Sequence, residues 1–373
     1  MSEPGKQETT QHVSHGSFPA PKLPYRPRDP RAYRPGIGLV GCGGITFEHL
    51  SAYRGAGYNV VALCDLDPKR AKKRREEFYP KAKIYRDHEE LIADAKVEVV
   101  DVTTHPPQRP PILEAAIRAR KHVLSQKPYT TDLDDGERLA NLADEHRVKL
   151  AVNQNGRWAP HFSYLRHAVA EGLIGELTSA HFSVHWDHNW VAGTPFDDVR
   201  HLILYDFAIH WFDMLMCLVG KRHVHRVSAS FRRSKTQAAK PALLGQAIVD
   251  LDGAQASLVF DGDTHFAPLD QAYVTGSLGT IHSVGNDLKS QTLTLTTARG
   301  STQPELVGKW FPDGFHGTMA ELLCAIEEDR EPTNSARNNL ASLALCFAAV
   351  ESAERGRPVV PGTVRKLPEE AVD

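Results

Sequence analysis

The stretch Gly36-Ile37-Gly38-Leu39-Val40-Gly41-Cys42-Gly43-Gly44-Ile45-Thr46 constrains this chain most, because an apolar run ends in clustered glycines just where a helical pattern begins. That order reads as strand, tight turn and helix start, the opening of a βαβ unit. Gly41 and Gly43 fill the first two places of a G-x-G-x-x-G fingerprint. Glycines there let the backbone turn sharply and approach a pyrophosphate, whose charge the helix N-terminus stabilises. Thr46 stands where the third glycine is usual, and a plain glycine turn is the competing reading. Context favours the dinucleotide. A second strand, Asn59 to Cys64, ends in Asp65, at about the 20-residue distance expected of a carboxylate that accepts from an adenosine ribose. Gly41, Gly43, Gly44, Ile45 and Asp65 are thus cofactor-binding candidates. Asp65 favours NAD, since a carboxylate there repels a 2'-phosphate; Lys69 or Arg70 folding back would neutralise such a phosphate and admit NADP.

A chain of 373 residues favours two domains, at roughly 100 to 200 residues each. A net charge of −2 supplies no general electrostatic reason to bind nucleic acid or an anionic membrane. The dense basic run Lys69 to Arg75 abuts Glu76 and Glu77 and reads as a solvated helix face. Five cysteines, odd in number and far apart in mostly apolar segments, read as buried reduced thiols. No stretch approaches membrane-spanning length and the first 30 residues lack the apolar core of a secretory signal, so a cytoplasmic location is expected.

Residues 1–35 are polar and rich in proline, which forbids a long helix and predicts a disordered start followed by an extended arm. Tyr25, Tyr33 and the arginines between them could fasten the arm to the body or to a neighbouring subunit. From Gly36 strands and helices alternate, as a doubly wound parallel sheet requires, over 36–153. Val97 to Thr103 is a continuous apolar run suited to a strand buried on both faces. Residues 154–373 read differently. Helical stretches at Phe162 to Glu171 and Tyr205 to Val219 bracket a strand and a Trp/His-rich loop. Alternating segments at Val227 to Arg233, Gln246 to Asp252, Ala256 to Phe260, Ala272 to Gly276 and Thr292 to Thr297 follow, then helices at Gly317 to Glu328 and Leu340 to Arg355. The expected fold is α/β, an N-terminal Rossmann domain plus a C-terminal α+β domain with an open-faced, mostly antiparallel sheet. Apolar positions on that open face predict a homodimer or homotetramer joined through it.

Chemistry should gather at the carboxyl ends of the parallel strands, where open α/β sheets bind ligands. The third strand ends in Thr103-Thr104-His105-Pro106-Pro107 and the fourth in Ser125-Gln126-Lys127-Pro128, making Thr104, His105, Pro106, Gln126 and Lys127 candidates, with Arg70, for cofactor contact. Lys127 there can serve as a proton donor or orienting cation, against the plainer role of capping a helix. Asp206, His210 and Asp213 stand at i, i+4 and i+7 of one predicted helix face. A carboxylate one turn from an imidazole can tune it as a general base, against the plainer reading of a structural histidine.

These motifs together resemble the glucose-fructose oxidoreductase / inositol dehydrogenase (Gfo/Idh/MocA) family over nearly everything after residue 35. The resemblance implies a Rossmann domain binding a nicotinamide cofactor and an open-faced sheet domain that supplies the substrate pocket and commonly the subunit interface. It implies that Lys127 is the lysine of an E-K-P motif and that Asp206 and His210 are the acid and histidine beside the substrate hydroxyl. The block Asn155-Gly156-Arg157-Trp158-Ala159-Pro160 resembles the family's N-x-R-aromatic-x-P segment, placing Arg157 and Trp158 in the pocket. This chain departs from the pattern at Gln126, where glutamate is usual, at Arg109 and Arg120, where histidine and glycine are common, and at Leu202-Ile203-Leu204, which lacks the usual glycines.

His181, His185, His188 and His201 raise a metal reading, weakened by the strand alternation of the first two and by the metal-free mechanism the resemblance implies. No metal is expected. Trp186, His188, Arg200 and His201 suit a polar, aromatic rim for a sugar, with core packing the alternative for either Trp186 or Trp190. The expected activity is an NAD(P)-dependent dehydrogenase oxidising a secondary hydroxyl of a sugar or polyol. A glycoside-processing enzyme with recycled NAD and a non-enzymatic NAD-binding regulator are the competing readings.

Overall fold

The structure, a computed structural model, describes residues 16–368 except 221, 288 and 290. The disordered start expected of the chain falls largely outside these residues. Strands β1 (Gly36–Val40), β2 (Asn59–Cys64), β3 (Lys83–Tyr85), β4 (Val99–Val102), β5 (His122–Gln126) and β6 (Leu150–Asn153) form one parallel sheet in the order β3-β2-β1-β4-β5-β6. Strand order reverses beside β1, so a crevice opens at the carboxyl ends of β1 and β4. Val40 lies beside Cys64 on one side and Val102 on the other, which brings Gly41, Asp65 and Thr103 to the same edge. Helices α1 (Thr46–Gly55), α2 (Pro68–Phe78), α3 (His88–Ala93), α4 (Arg109–Arg118) and α5 (Leu133–His146) link the strands. Strand β4 is buried at all four positions, as its apolar run predicts. Asp67, Asp87 and Asp132 cap α2, α3 and α5 by accepting from main-chain N–H groups two residues on.

Beyond α6 (Pro160–Ala170), strand β7 (Leu177–His185) and helix α7 (Ile209–Val219) lead into β8 (Val224–Arg232), β9 (Leu244–Leu251), β10 (Ala254–Asp261), β11 (Leu269–Gly276), β12 (Gly279–Gly285), β13 (Gln291–Thr297) and β14 (Gly300–Thr302). Together with β7 they form an eight-stranded sheet in the order β14-β13-β12-β11-β7-β10-β9-β8, antiparallel except where β7 meets β10. One face packs Ala180, Phe182, Val184, Leu258 and Phe260 into the core. The other carries Ser179, His181, Ser183, His185, Gln246, Ser257, Gln271 and the threonines of β13, with Ile248 and Tyr273 as its exposed large apolar members. The predicted apolar open face is therefore largely a hydrogen-bonding one. Burial of apolar surface is not what would drive a partner onto it.

Two helices close the chain, α8 (Trp310–Glu327) and α9 (Ala336–Arg355). Phe315, Met319, Leu322 and Leu323 of α8 join the core around Ile37, Leu39 and Leu50, so the last third of the chain returns to the Rossmann sheet. The described part of the arm runs along its own body. The Glu327 carboxylate accepts from the main-chain N–H groups of Arg31, Ala32 and Tyr33 at 2.7, 2.6 and 2.8 Å, and the Tyr164 hydroxyl donates to Pro21 O at 2.9 Å. All five cysteines are free thiols, four of them buried. No helix among the described residues is long and apolar enough to cross a membrane.

Candidate active site

A cleft of about 640 Å³ opens along the carboxyl ends of β1, β2 and β4, lined by Gly41, Gly43, Asp65, Arg70, Thr104 and His105 among others. Gly41 takes φ +94°, a left-handed conformation that its lack of a Cβ permits, and so turns the chain off β1. Nothing lies within 4 Å of where a Cβ would stand on Gly43 or Gly44, so the loop's main chain is open to a ligand's approach. Gly44, Ile45 and Pro106 stand in the turns that start α1 and the 3₁₀ turn Pro106–Gln108. Asp65 is nearly buried, its Oδ2 accepting from Cys42 N at 2.7 Å and its Oδ1 from Asp67 N at 2.8 Å. A carboxylate has about four lone-pair directions, so ribose hydroxyls can still be received there. Arg70 is exposed, 3.8 Å from Asp67. Thr104 Oγ1 is buried without a partner among the described residues, a donor aimed at no protein acceptor. Open glycine backbone, a fixed carboxylate and an unpartnered hydroxyl in one crevice fit a dinucleotide.

Two residues of this region escape the sequence reading. Arg74 of α2 donates to Gly43 O at 3.0 Å and to Thr46 Oγ1 at 3.2 Å, holding the glycine loop from behind. Arg109, taken as a mere departure from a family pattern, is fully buried, and its guanidinium donates to the carbonyls of Thr104, Gln126, Pro128 and Tyr129. It ties the ends of β4 and β5 together from below. Burial lowers its pKa to about 10, still a cation at neutral pH. Backbone carbonyls as the only acceptors leave no sequence signal for such a clamp.

At the end of β5, Lys127 reaches across to the second domain, its Nζ donating to Asp206 O at 2.8 Å and lying 3.3 Å from Asp206 Oδ2. Asp206 belongs to a π-helical turn, Leu202–Phe207, that precedes α7, so the predicted single face does not form. Asp206 pairs with Lys127. Asp213 is buried and pairs with Arg157 at 2.6 and 2.7 Å. Among the described residues no carboxylate hydrogen-bonds His210, whose Nδ1 is unpartnered and whose ring packs edge-on against Trp310 at 5.5 Å. Burial, with the Lys127 charge beside it, holds the His210 pKa well below the ordinary imidazole value, so the ring is neutral.

His188 joins them. Its ring packs against Phe207 at 4.8 Å, its Nδ1 is unpartnered, and burial, against an opposing pull from Asp206, pushes its pKa down to about 4. Trp186 stacks on Phe207 at 5.1 Å with its indole N–H unpartnered. Trp190 meets Phe196, and Phe196 meets His105 of the Rossmann side, so the aromatic loop spans the mouth between domains.

Four residues expected in the substrate pocket lie elsewhere. Arg157 spends its guanidinium on Asp213 and on Thr333 O; burial disfavours its charge, but Asp213 overrides this and raises the pKa. Trp158 is buried against Gly317, where an added Cβ would stand 2.1 Å from the indole, and against Arg166. Arg200 pairs with Glu354 of α9 at 3.0 Å, and His201 hydrogen-bonds Pro368 O at 2.8 Å. The resemblance located a segment, whereas the direction of each side chain follows from which partner satisfies it. Among the described residues no group of histidine, cysteine, aspartate or glutamate is arranged to hold a metal ion.

Residues 36–154 match the family model described as an oxidoreductase family with an NAD-binding Rossmann fold (GFO/IDH/MocA), and residues 162–282 match the C-terminal domain of the same family. The chain belongs to the Gfo/Idh/MocA family of NAD(P)-dependent oxidoreductases. It is 26% identical over 341 residues to D-apiose dehydrogenase of Paraburkholderia graminis, covering 86% of this chain and 88% of that one. It is 25% identical over 342 residues to inositol 2-dehydrogenase of Rhizobium meliloti, covering 87% and 98%. An oxidoreductase from Agrobacterium radiobacter solved with NAD+, L-tartaric acid and magnesium shares the fold, with a TM-score of 0.79, 24% identity and coverage of 88% and 99%.

Proposed function

We propose that this protein oxidises a secondary hydroxyl of a sugar or polyol, or runs the reverse reduction, with Lys127 and His210 handling the hydroxyl oxygen and its proton. The observation that carries this reading is the convergence of Lys127, from the end of β5, with Asp206, His188 and a neutral His210, on the same carboxyl edge of the parallel sheet as the dinucleotide cleft. NAD bound in that cleft supplies the hydride acceptor. As the carbinol carbon loses hydride, its oxygen must lose a proton to a base within hydrogen-bond reach. His210 is that base: it is neutral, and among the described residues no carboxylate hydrogen-bonds its ring. Lys127 holds the same oxygen by its charge, and Asp206 fixes the ammonium in place. His188 and Trp186 pack on Phe207 beside them, with nitrogens that no described residue bonds. Relatives named for apiose and inositol support a polyhydroxylated substrate.

His210→Ala should lose on the order of 10²-fold or more in turnover with folding and NAD affinity nearly intact, the usual scale for a general base. Lys127→Ala should also depress turnover, and the double variant should lose less than the product of the single effects. A lowered melting temperature with an unchanged rate per folded enzyme would assign His210 to packing and leave Lys127 as the base. A screen of sugars with NAD and NADP tests the substrate class; tight cofactor retention with no net NADH absorbance would select the recycled-NAD reading instead. We further infer a cytoplasmic homodimer or homotetramer joined by hydrogen bonds across the open sheet face. Light scattering at micromolar concentration should show it, and a monomer mass contradicts it.

A further inference from the structure

Beneath Lys127 lies a buried polar network that takes no part in the proton transfer. His49 of α1 is wholly buried. Its Nδ1 stands 2.7 Å from Asp101 Oδ2, which also accepts from the Tyr53 hydroxyl at 2.7 Å. Its Nε2 faces Gln126 Nε2 at 3.2 Å and Asn153 Nδ2 at 3.1 Å. One main-chain donor settles which atoms carry protons. The N–H of Lys127 points at one end of the Gln126 amide from 2.7 Å, and only an oxygen can receive it. That end is therefore Oε1, and the amide NH₂ is turned toward His49. Asn153 follows, because the amide end 3.2 Å from Gln126 Oε1 must be the donor Nδ2, which leaves its Oδ1 beside the Thr318 hydroxyl at 2.8 Å. Two NH₂ groups converging on one imidazole nitrogen require a lone pair there.

We propose that His49 is a positioning residue of the active site: its single N–H is held on Nδ1 by Asp101, and its bare Nε2 locks the Gln126 amide, which in turn fixes the main chain at Lys127. The inference rests on the reading that Lys127 handles the substrate oxygen. It also explains why a neutral glutamine is accommodated where the E-K-P motif carries glutamate. A carboxylate in place of this amide would meet the Nε2 lone pair and would need a second proton on His49. Glutamine with a neutral imidazole, and glutamate with an imidazolium, leave the pair with the same net charge beside Asp101. The groups facing His49 are Asp101 from β4, Tyr53 from its own helix, Gln126 from β5, Asn153 from β6 and the Phe315 ring of α8 at 4.8 Å. Tyr53 remains a donor, since burial and then Asp101 hold its hydroxyl well above the ordinary phenol range.

The test pairs wild type with Gln126→Glu, both saturated with NADH, by nitrogen-15 NMR of the imidazoles. The His49 signal is identified by its loss in His49→Gln or, where that variant does not fold, by its contact with the Phe315 ring. Wild type should show a neutral ring whose one proton is on Nδ1, the tautomer that the two amide donors at Nε2 require. Gln126→Glu should show an imidazolium at neutral pH. Its turnover should fall roughly tenfold relative to wild type at alkaline pH, where a neutral ring keeps a single N–H and can donate to only one of the two carboxylates, a loss on the scale of a buried charged hydrogen bond. An Nε2–H tautomer or an imidazolium in wild type, or a neutral His49 in Gln126→Glu with an unchanged pH profile, overturns the proposal. The resonance needs no substrate, so a protein that oxidised no sugar would fail the turnover arm alone, against the functional reading and not against the His49 assignment.

Discussion

On the Rossmann side of the cleft, the ends of β4 and β5 are held from below: Arg109 donates to four carbonyls and the His49–Gln126–Asn153 network grips Lys127 N. On the sheet-domain side, His188 Nδ1, His210 Nδ1 and Trp186 Nε1 have no partner among the described residues, and the chain around them is a π-helical turn and short 3₁₀ turns. A buried polar group left unpaired costs about 1–3 kcal/mol, so such groups persist where something else repays them. The Rossmann side has such atoms too, Thr104 Oγ1 and Asp101 Oδ1, but its strand ends are tied; we propose that it fixes the cofactor and Lys127 while the other side keeps hydrogen-bonding capacity for a substrate.

The largest effect should come from breaking the clamped side. Arg109→Leu removes a shared donor from four carbonyls, of which Gln126 O keeps the Ser125 hydroxyl, and should destabilise the protein by about 3 kcal/mol, the upper range for single substitutions. Denaturant titration would show it, and a change under about 1 kcal/mol would mean that the floor is not held this way.

Acid should loosen the other side first. Burial pushes the His161 pKa down to about 3 and that of His188 to about 4, while an unfolded histidine binds its proton near 6.5. Below that value the unfolded chain binds more protons than the folded one, so stability falls with pH until about 4, by roughly 2 kcal/mol per buried imidazole at pH 5. Hydrogen exchange at pH 5 against pH 7 should lose protection around His161 and His188, and at the start of β5, where burial also lowers the His122 pKa to about 4, before β4. The reverse order would break the comparison.

His188→Ala should lower the melting temperature through lost packing on Trp186 and Phe207, and raise the sugar KM about tenfold, the value of one hydrogen bond to substrate. A stability loss without a KM effect would make His188 a packing residue. The smallest change is expected at the cleft edge. Asp65→Ser should cut discrimination against NADP several-fold, by roughly 1 kcal/mol, with little effect on turnover once the cofactor is saturating. Fluorescence titration with both cofactors measures it, and tighter NADP binding by wild type would refute the assigned role of Asp65.

How much of this was legible in the sequence depends on what each residue's partner is. The glycine turn, Asp65, the end of β5 and the α+β character of the second domain were readable, because backbone conformation and apolar periodicity are local properties. Strand β3, three residues long, and β12, bounded by Gly279 and Gly285, were not read, since neither offers enough alternation to register. The face shared by Asp206, His210 and Asp213 was misjudged because α-helical spacing was assumed where the chain runs as a π-turn.

The sequence by itself determined a dinucleotide-binding parallel sheet, the position of Lys127 at its carboxyl edge, and the histidines and aspartates available to act with it. Only the tertiary structure decided their pairing. Arg157 goes to Asp213 and Asp206 to Lys127, while His210 is left open and Arg200 and His201 turn to α9 and the C-terminal segment. A charged or polar side chain takes the best partner that its burial leaves within reach, and which groups come within reach depends on contacts between residues far apart in the chain.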